Sequence, residues 1–237
     1  MIEKIALDNI LFLDIETVPE TENFSDLDDT KKELFTLKTQ YQRKDDYTPE
    51  EFYERAGIWA EFGKIICISV GYFTLKSDIR HFRVTSFFGD EIKILKDFAN
   101  LLNNHFAQPQ HLLCGHNAKE FDFPFIARRM LIHGIPIPQK LNLFGKKPWE
   151  VPHLDTMELW KFGDFKTFTS LKLLTNVLGI PSPKDDIDGS EVGKVFYIDQ
   201  DIDRIITYCE KDVIAVAQIF LKFRREDLLI EEEIVHV

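Results

Sequence analysis

The stretch Ile10-Leu11-Phe12-Leu13-Asp14-Ile15-Glu16-Thr17 decides how the rest of the chain is read. Residues 10–15 are apolar almost throughout, the pattern of a strand covered on both faces. Two carboxylates follow at its end, two residues apart. Residues i and i+2 of a strand share a face. Asp14 and Glu16 therefore project together, while Ile15 turns into the opposite layer. Two anions side by side near a core are costly unless a cation joins them. Hard oxygen donors at that spacing suit Mg²⁺ or Mn²⁺. Taken alone, so short a pattern also fits the solvated end of a strand.

Working outward, residues 65–73 read as a second apolar strand. Residues 79–88 alternate, with Phe82, Val84 and Phe88 on one face, and Thr74–Asp78 is the expected hairpin loop. Residues 90–107 carry Ile92, Leu95, Phe98, Leu101 and Leu102 at helical spacing. A short strand is expected at 111–115, then a helix from about Asn117 to His133. Asn117 and Glu120 look like a capping box, and Gly134 suits the residue past the helix end. Helices are expected at 169–178 and 189–197, and a long one at 201–223 with the stripe Ile202, Ile205, Ile206, Cys209, Val213, Val216 and Phe220. Residues 19–60 read as an acidic helical insertion: twelve carboxylates lie between Glu16 and Glu54, and Thr48-Pro49-Glu50-Glu51 is a helix start. The order of strand, insertion, hairpin, helix, strand and helices predicts an α/β fold with a mixed sheet flanked by helices. No repeat or linker divides residues 1–237, so one domain is expected.

Two more carboxylates stand out. Asp122 lies among the core-forming Phe121, Phe123, Phe125 and Ile126. An acid there either faces a cleft or favours a helix N-terminus. Tyr208 and Asp212, four residues apart, share one helix face beside Ile205 and Cys209. Singly, each has an ordinary explanation. Together, four carboxylates from one strand and two helices can converge on two cations, which clamp the attacking and leaving oxygens of an in-line phosphoryl displacement. A tyrosine beside them can orient the attacking water. Its ordinary pKa of about 10 favours orientation, or proton transfer assisted by the metals, over a free phenolate at about pH 7.

These residues resemble the DEDD superfamily of 3′–5′ exonucleases in its tyrosine form. Phe12–Thr17 looks like the first motif of that group, Asn117-(x)3-Phe121-Asp122 the second, and Tyr208-(x)3-Asp212 the third. The chain is most similar to stand-alone exonucleases related to the proofreading domain of family B DNA polymerases, over about residues 10–223. The resemblance implies an RNase H-like fold. It implies Asp14, Glu16, Asp122 and Asp212 as ligands of two divalent cations, Mg²⁺ or Mn²⁺, with Asp14 bridging and Tyr208 positioning the water. It also implies action on the 3′ end of a single strand, DNA favoured, with release of 5′-mononucleotides. No polymerase domain is expected after the third motif. The insertion at 19–60 is the part this pattern explains least.

Single strands are held by cations and stacking aromatics. Lys161-Phe162-Gly163-Asp164-Phe165-Lys166-Thr167-Phe168 interleaves the two, which makes Lys161, Phe165 and Lys166 candidate contacts; ordinary core-and-surface alternation gives the same pattern. Thr17, His116, Asn117 and Phe121 are further candidates from the motifs. Arg128, Arg129, Lys146 and Lys147 also qualify, or are solvated surface. Asp155 is a helix cap after a short strand, or a carboxylate behind the ligands. Two other functions compete: a non-catalytic nucleic-acid-binding module on the same fold, and a metal-dependent hydrolase of small phosphoesters.

The composition sets the limits. The chain of 237 residues carries 29 Lys and Arg against 40 Asp and Glu, a formal charge of −11. That argues against nucleic-acid binding through bulk positive charge. The charge is uneven, however. Residues 116–175 hold 9 Lys and Arg against 6 Asp and Glu. The acidity sits mainly in the insertion and the last quarter. No apolar run approaches the roughly 20 residues of a membrane span. The acids within the first 16 residues are unlike a signal peptide. Cys67, Cys114 and Cys209 share no metal-like spacing and read as buried thiols of a cytoplasmic protein, which excludes a CxxC zinc site.

Overall fold

The computed structural model describes residues 2–43, 46–76, 79–164, 166–181 and 187–237. Among the described residues six strands form one sheet: β1 (Ile10–Pro19), β2 (Gly63–Lys76), β3 (Ile79–Phe88), β4 (Leu112–Gly115), β5 (Leu154–Asp155) and β6 (Ile234–His236). The helices are α1 (Asp29–Arg43), α2 (Pro49–Phe52), α3 (Glu91–His105), α4 (Asp122–Ile132), α5 (Thr156–Lys161), α6 (Leu171–Val177), α7 (Val192–Lys194) and α8 (Ile202–Arg224). The strand order is β5-β4-β1-β2-β3-β6. β1, β2 and β3 pair antiparallel, whereas β4 on β1, β5 on β4 and β6 on β3 are parallel. This is the expected mixed α/β sheet.

The alternation along β1 assigns its two faces. Leu11, Leu13 and Ile15 join Ile68 and Val70 against α3 (Ile94, Leu95, Phe98) and α4 (Phe123, Ile126, Met130). Ile10 and Phe12 join Phe73 and Phe82 against Val213, Val216 and Phe220 of α8. Phe12 meets Phe73, Phe82 and Phe220 edge-on at 5.7–5.8 Å, a geometry worth about 1 kcal/mol per pair beyond area burial. The row Ile10, Phe12 therefore continues as Asp14, Glu16 on the α8 side of the sheet. Gly71 sits where α8 crosses β2: a Cβ there would lie 2.3 Å from the Phe82 ring and 2.9 Å from Val213.

Several expected boundaries move. β1 runs on to Pro19 because Thr17, Val18 and Pro19 pair with Ile65, Lys64 and Gly63 after a register shift at Glu16/Thr17. Asp14 and Glu16 thus lie within the strand and not at its end. They lie past the end of β4, whose pairing with β1 stops at Phe12↔Cys114. The expected loop Thr74–Asp78 shortens, since Thr74, Leu75 and Lys76 pair with His81, Arg80 and Ile79; Ser77 and Asp78 lie outside the described residues. β6 had no counterpart in the sequence reading. The expected helix at 189–197 is one turn of α7 followed by a π-helical turn, Val195–Asp199.

The helix expected from Asn117 begins instead at Asp122. Pro124 has no N–H and its ring excludes a carbonyl four residues back, so it fits only a first turn. Asn117 is not a cap: its φ is +63°, and a tight turn brings the Glu120 and Phe121 amides onto its carbonyl. The segment read as an insertion contains α1 and α2. It has its own small core, in which Phe35, Phe52, Tyr53 and Phe62 pack together. Among the described residues no helix is long and apolar enough to cross a membrane.

Candidate active site

Three elements bring acidic side chains to the gap beyond β4. β1 contributes Asp14 and Glu16. α8 packs across them because Ile205, Cys209 and Val213 form its buried stripe, which leaves Tyr208 and Asp212 on the adjoining edge. The Cys209 thiol lies 3.5 Å from the Asp14 carbonyl and from its Oδ2. Asp14, Glu16 and Cys209 present ligand atoms within 4.8 Å of one another. Asp122 arrives from α4, and its carboxylate accepts a hydrogen bond from the Ile15 amide, between the two β1 acids. Asp212 lies close enough for its charge to act on Asp14, Glu16 and Asp122.

The electrostatics follow from burial. Glu16 is 7 % exposed and Asp122 4 %. Burial holds Asp14 well above the ordinary carboxylate range, and the charges of Asp122, Asp212 and Glu16 push it further. Glu16 is raised by burial and by Asp212. Burial lifts Asp122 to about 7. None of the charges that move these three most is positive. A cluster of this kind loses anionic charge by taking up protons or gains stability by taking up a cation. The donor set of four carboxylates fits a hard divalent cation. Tyr208 is also raised, by burial and then by Asp212, Glu16 and Asp14, and its hydroxyl donates to Asp212.

Asp155 holds the approach to Asp122 in place. Its Oδ1 accepts from the amides of Asn117, Met157 and Glu158 at 3.0–3.2 Å, and its Oδ2 from Lys119 at 3.0 Å. It is thus the cap of α5 and also the clasp of the 117–119 turn. Gly115 precedes that turn, where a Cβ would lie 2.5 Å from Ala118 and 3.1 Å from the Leu13 carbonyl. The Asp-Thr-Met run at 155–157, read as cap or supporting carboxylate, carried this signal; the second set of amides is a tertiary contact.

The candidate substrate residues separate. Thr17 Oγ1 donates to the Gly57 carbonyl at 2.8 Å, tying β1 to the insertion. The His116 ring is engaged at both nitrogens, by Thr156 Oγ1 at 2.9 Å and the Thr169 carbonyl at 2.8 Å. Phe121 packs on Phe125 and the core. Asn117 keeps its Oδ1 buried without a hydrogen-bond partner. Lys161 ends α5, Lys166 is exposed, and Phe165 lies outside the described residues. Of the other cations, Arg129 is structural: its guanidinium binds both oxygens of Glu91 and the Ala60 carbonyl.

A family model described as a predicted 3′–5′ exonuclease related to the exonuclease domain of PolB matches residues 58–234. Among solved structures, the family B DNA polymerase from the hyperthermophilic archaeon Pyrobaculum calidifontis superposes with a TM-score of 0.51 at 15 % identity. That similarity covers 90 % of this chain and 24 % of the polymerase, so the chain spans about a quarter of that protein's length. No curated protein matches in sequence.

Proposed function

The chain belongs to the family of predicted 3′–5′ exonucleases related to the exonuclease domain of PolB, and from that premise we propose that it hydrolyses phosphodiester bonds at the 3′ end of single-stranded nucleic acid, DNA favoured, releasing 5′-mononucleotides. The observation that carries this reading is the meeting of Asp14, Glu16, Asp122 and Asp212 with Tyr208 at one gap in the sheet, where burial and neighbouring carboxylates raise Asp14, Glu16 and Asp122.

Asp14, Glu16, Asp122 and Asp212 would hold two divalent cations, Mg²⁺ or Mn²⁺. Bound there, the cations supply an activated water and stabilise the attacking and leaving oxygens of an in-line displacement. The water oxygen bonds to phosphorus as the bond to the upstream O3′ breaks, leaving a 3′-hydroxyl on the strand and a phosphate on the released nucleotide. The protein fixes the geometry. Ile15 N–H orients Asp122, and Asp155 fixes the turn that delivers it. Burial and the surrounding carboxylates raise Tyr208 and keep its phenol protonated at neutral pH, so it would orient the water.

A labelled single strand incubated with Mg²⁺ or Mn²⁺ tests this. The expected result is stepwise shortening from the 3′ end, lost in Asp14→Ala and Asp212→Ala proteins that still fold. Inertness on DNA and RNA with both metals refutes the activity. Turnover of aryl phosphates or mononucleotides with no attack on polymers points to a small-phosphoester hydrolase.

A further inference from the structure

A second concavity opens on the side of α4 that carries Pro124, Ala127 and Leu131. It is a cleft of about 790 Å³ between α4, the 137–151 segment and α5. Its inner end is formed by Asn117 and Asp155, the residues that set the approach to Asp122. Its floor is apolar, with Phe123, Leu141 and Met157. Its rim is different. On one side stands Phe144-Gly145-Lys146-Lys147-Pro148-Trp149, with Phe144 70 % and Trp149 75 % exposed. The Lys147 ammonium lies 5.3 Å from the Trp149 ring centre. On the other side are Lys161 and Gly163, with the exposed Phe162 between them in a left-handed conformation.

We propose that this cleft is where the substrate strand continues: nucleotides upstream of the scissile bond stack on Trp149 and Phe144 while Lys146, Lys147 and Lys161 meet their phosphates. This rests on the function proposed above and assigns the path of its substrate. Three observations carry it. Large aromatic rings left in water beside ammonium groups are the elements of a single-strand groove, since every base has a face to stack and every link has a charge. The charge in the cleft is also arranged for an anion. Asp155 is absorbed by four backbone amides, and Glu158 is paired with Lys119 at 2.5 Å. Arg128, Lys146 and Lys161 also line the cleft, and Glu120, among the described residues, is the one lining carboxylate without an amide or cation partner. Finally, the cleft ends at Asn117 and Asp155, and Asp155 is close enough for its charge to act on Asp122.

The test compares two substrates on the wild type and on Trp149→Ala, Trp149→Phe and a Lys146→Ala/Lys147→Ala pair. One is a labelled single strand of about 20 nucleotides. The other is the 4-nitrophenyl ester of thymidine 5′-phosphate, which fills only the terminal site. Trp149 and both lysines are exposed, so thermal melts should be unchanged. Losing one stacked base predicts a rise in KM for the strand of about tenfold in Trp149→Ala, recovered in Trp149→Phe. The lysine pair should flatten the salt dependence of KM by about one log unit per log unit of salt. Turnover of the ester should stay level throughout. A strand KM unmoved in Trp149→Ala and in the lysine pair overturns the path, leaves exonuclease activity standing, and leaves the cleft to a protein segment. A wild type inert on both substrates overturns the underlying function and the path with it.

Discussion

Asp122→Asn should make the metal-free protein more stable, and the gain should grow with pH. Burial lifts this carboxyl from 3.8 to about 7. Between those values the folded state keeps a proton that the unfolded chain has lost. The native protein therefore binds more protons, and its stability falls as pH rises through that window and levels off above it. Roughly three pKa units correspond to about 4 kcal/mol as a ceiling. The Asn side chain keeps the shape and cannot ionise, although it weakens the bond from the Ile15 amide, a cost of about 1 kcal/mol. The net gain should be about 2–3 kcal/mol near pH 8 and close to zero near pH 4.5. Urea melts in EDTA at the two pH values measure it. Adding Mn²⁺ should reverse the order. Wild type gains about 2.7 kcal/mol at a hundredfold excess over Kd, whereas the variant, with a ligand removed, gains less and loses nuclease activity. A variant less stable than wild type in EDTA at pH 8, or a difference independent of pH, would refute the argument that buried negative charge strains this site.

Three further outcomes follow from the geometry. Tyr208→Phe should lower kcat by about a hundredfold while leaving the Mn²⁺-induced rise in Tm intact, because the phenol orients water and holds no cation; an equal loss of the Tm shift would make it part of the metal site. His153 is pushed down to about 4 by burial, with Nδ1 accepting from the Leu113 amide and Nε2–H donating to the Lys140 carbonyl. Stability should therefore be full above about pH 6.5 and fall by a few kcal/mol as pH drops towards 4, a slope that His153→Gln flattens in urea melts. Arg129→Met should cost about 3–5 kcal/mol, since it strands Glu91 without its guanidinium; adding Glu91→Leu should recover most of that, and a double variant no better than the single one would show that the loss does not come from the stranded Glu91 charge.

Local geometry at the candidate site was legible in the sequence, and contacts between distant segments were not. The spacing of Asp14 and Glu16 placed them on one face because strand periodicity is local. Tyr208 and Asp212 shared an edge of α8 for the same reason, and the apolar stripe of that helix told which side packs down. The acidic insertion read correctly as helical because its cap, Thr48 with Pro49 and Glu51, lies within four residues. His116, in contrast, looked available to a ligand, yet both ring nitrogens are taken by residues 40 and 53 positions away. Arg129 sits beside the exposed Arg128 in the sequence and differs in having Glu91 and the Ala60 carbonyl, 38 and 69 residues distant, as partners.

What the sequence by itself determined, then, was the inventory and its local geometry: which residues are acidic, which share a face, and which segments are strand or helix. What only the tertiary structure decided depends on contacts between distant segments. Pairing with Gly63–Ile65 carried β1 on to Pro19 and put its two acids inside the strand. Asp155, more than thirty residues away, drew in the amides of the 117–119 turn. Together with Pro124 it delayed the start of α4 until Asp122 faced β1. The cleft beside that helix exists because three segments surround it. Periodicity records how neighbours in the chain are oriented. Which distant groups satisfy a buried amide or surround an unpaired ring is set by the packing as a whole.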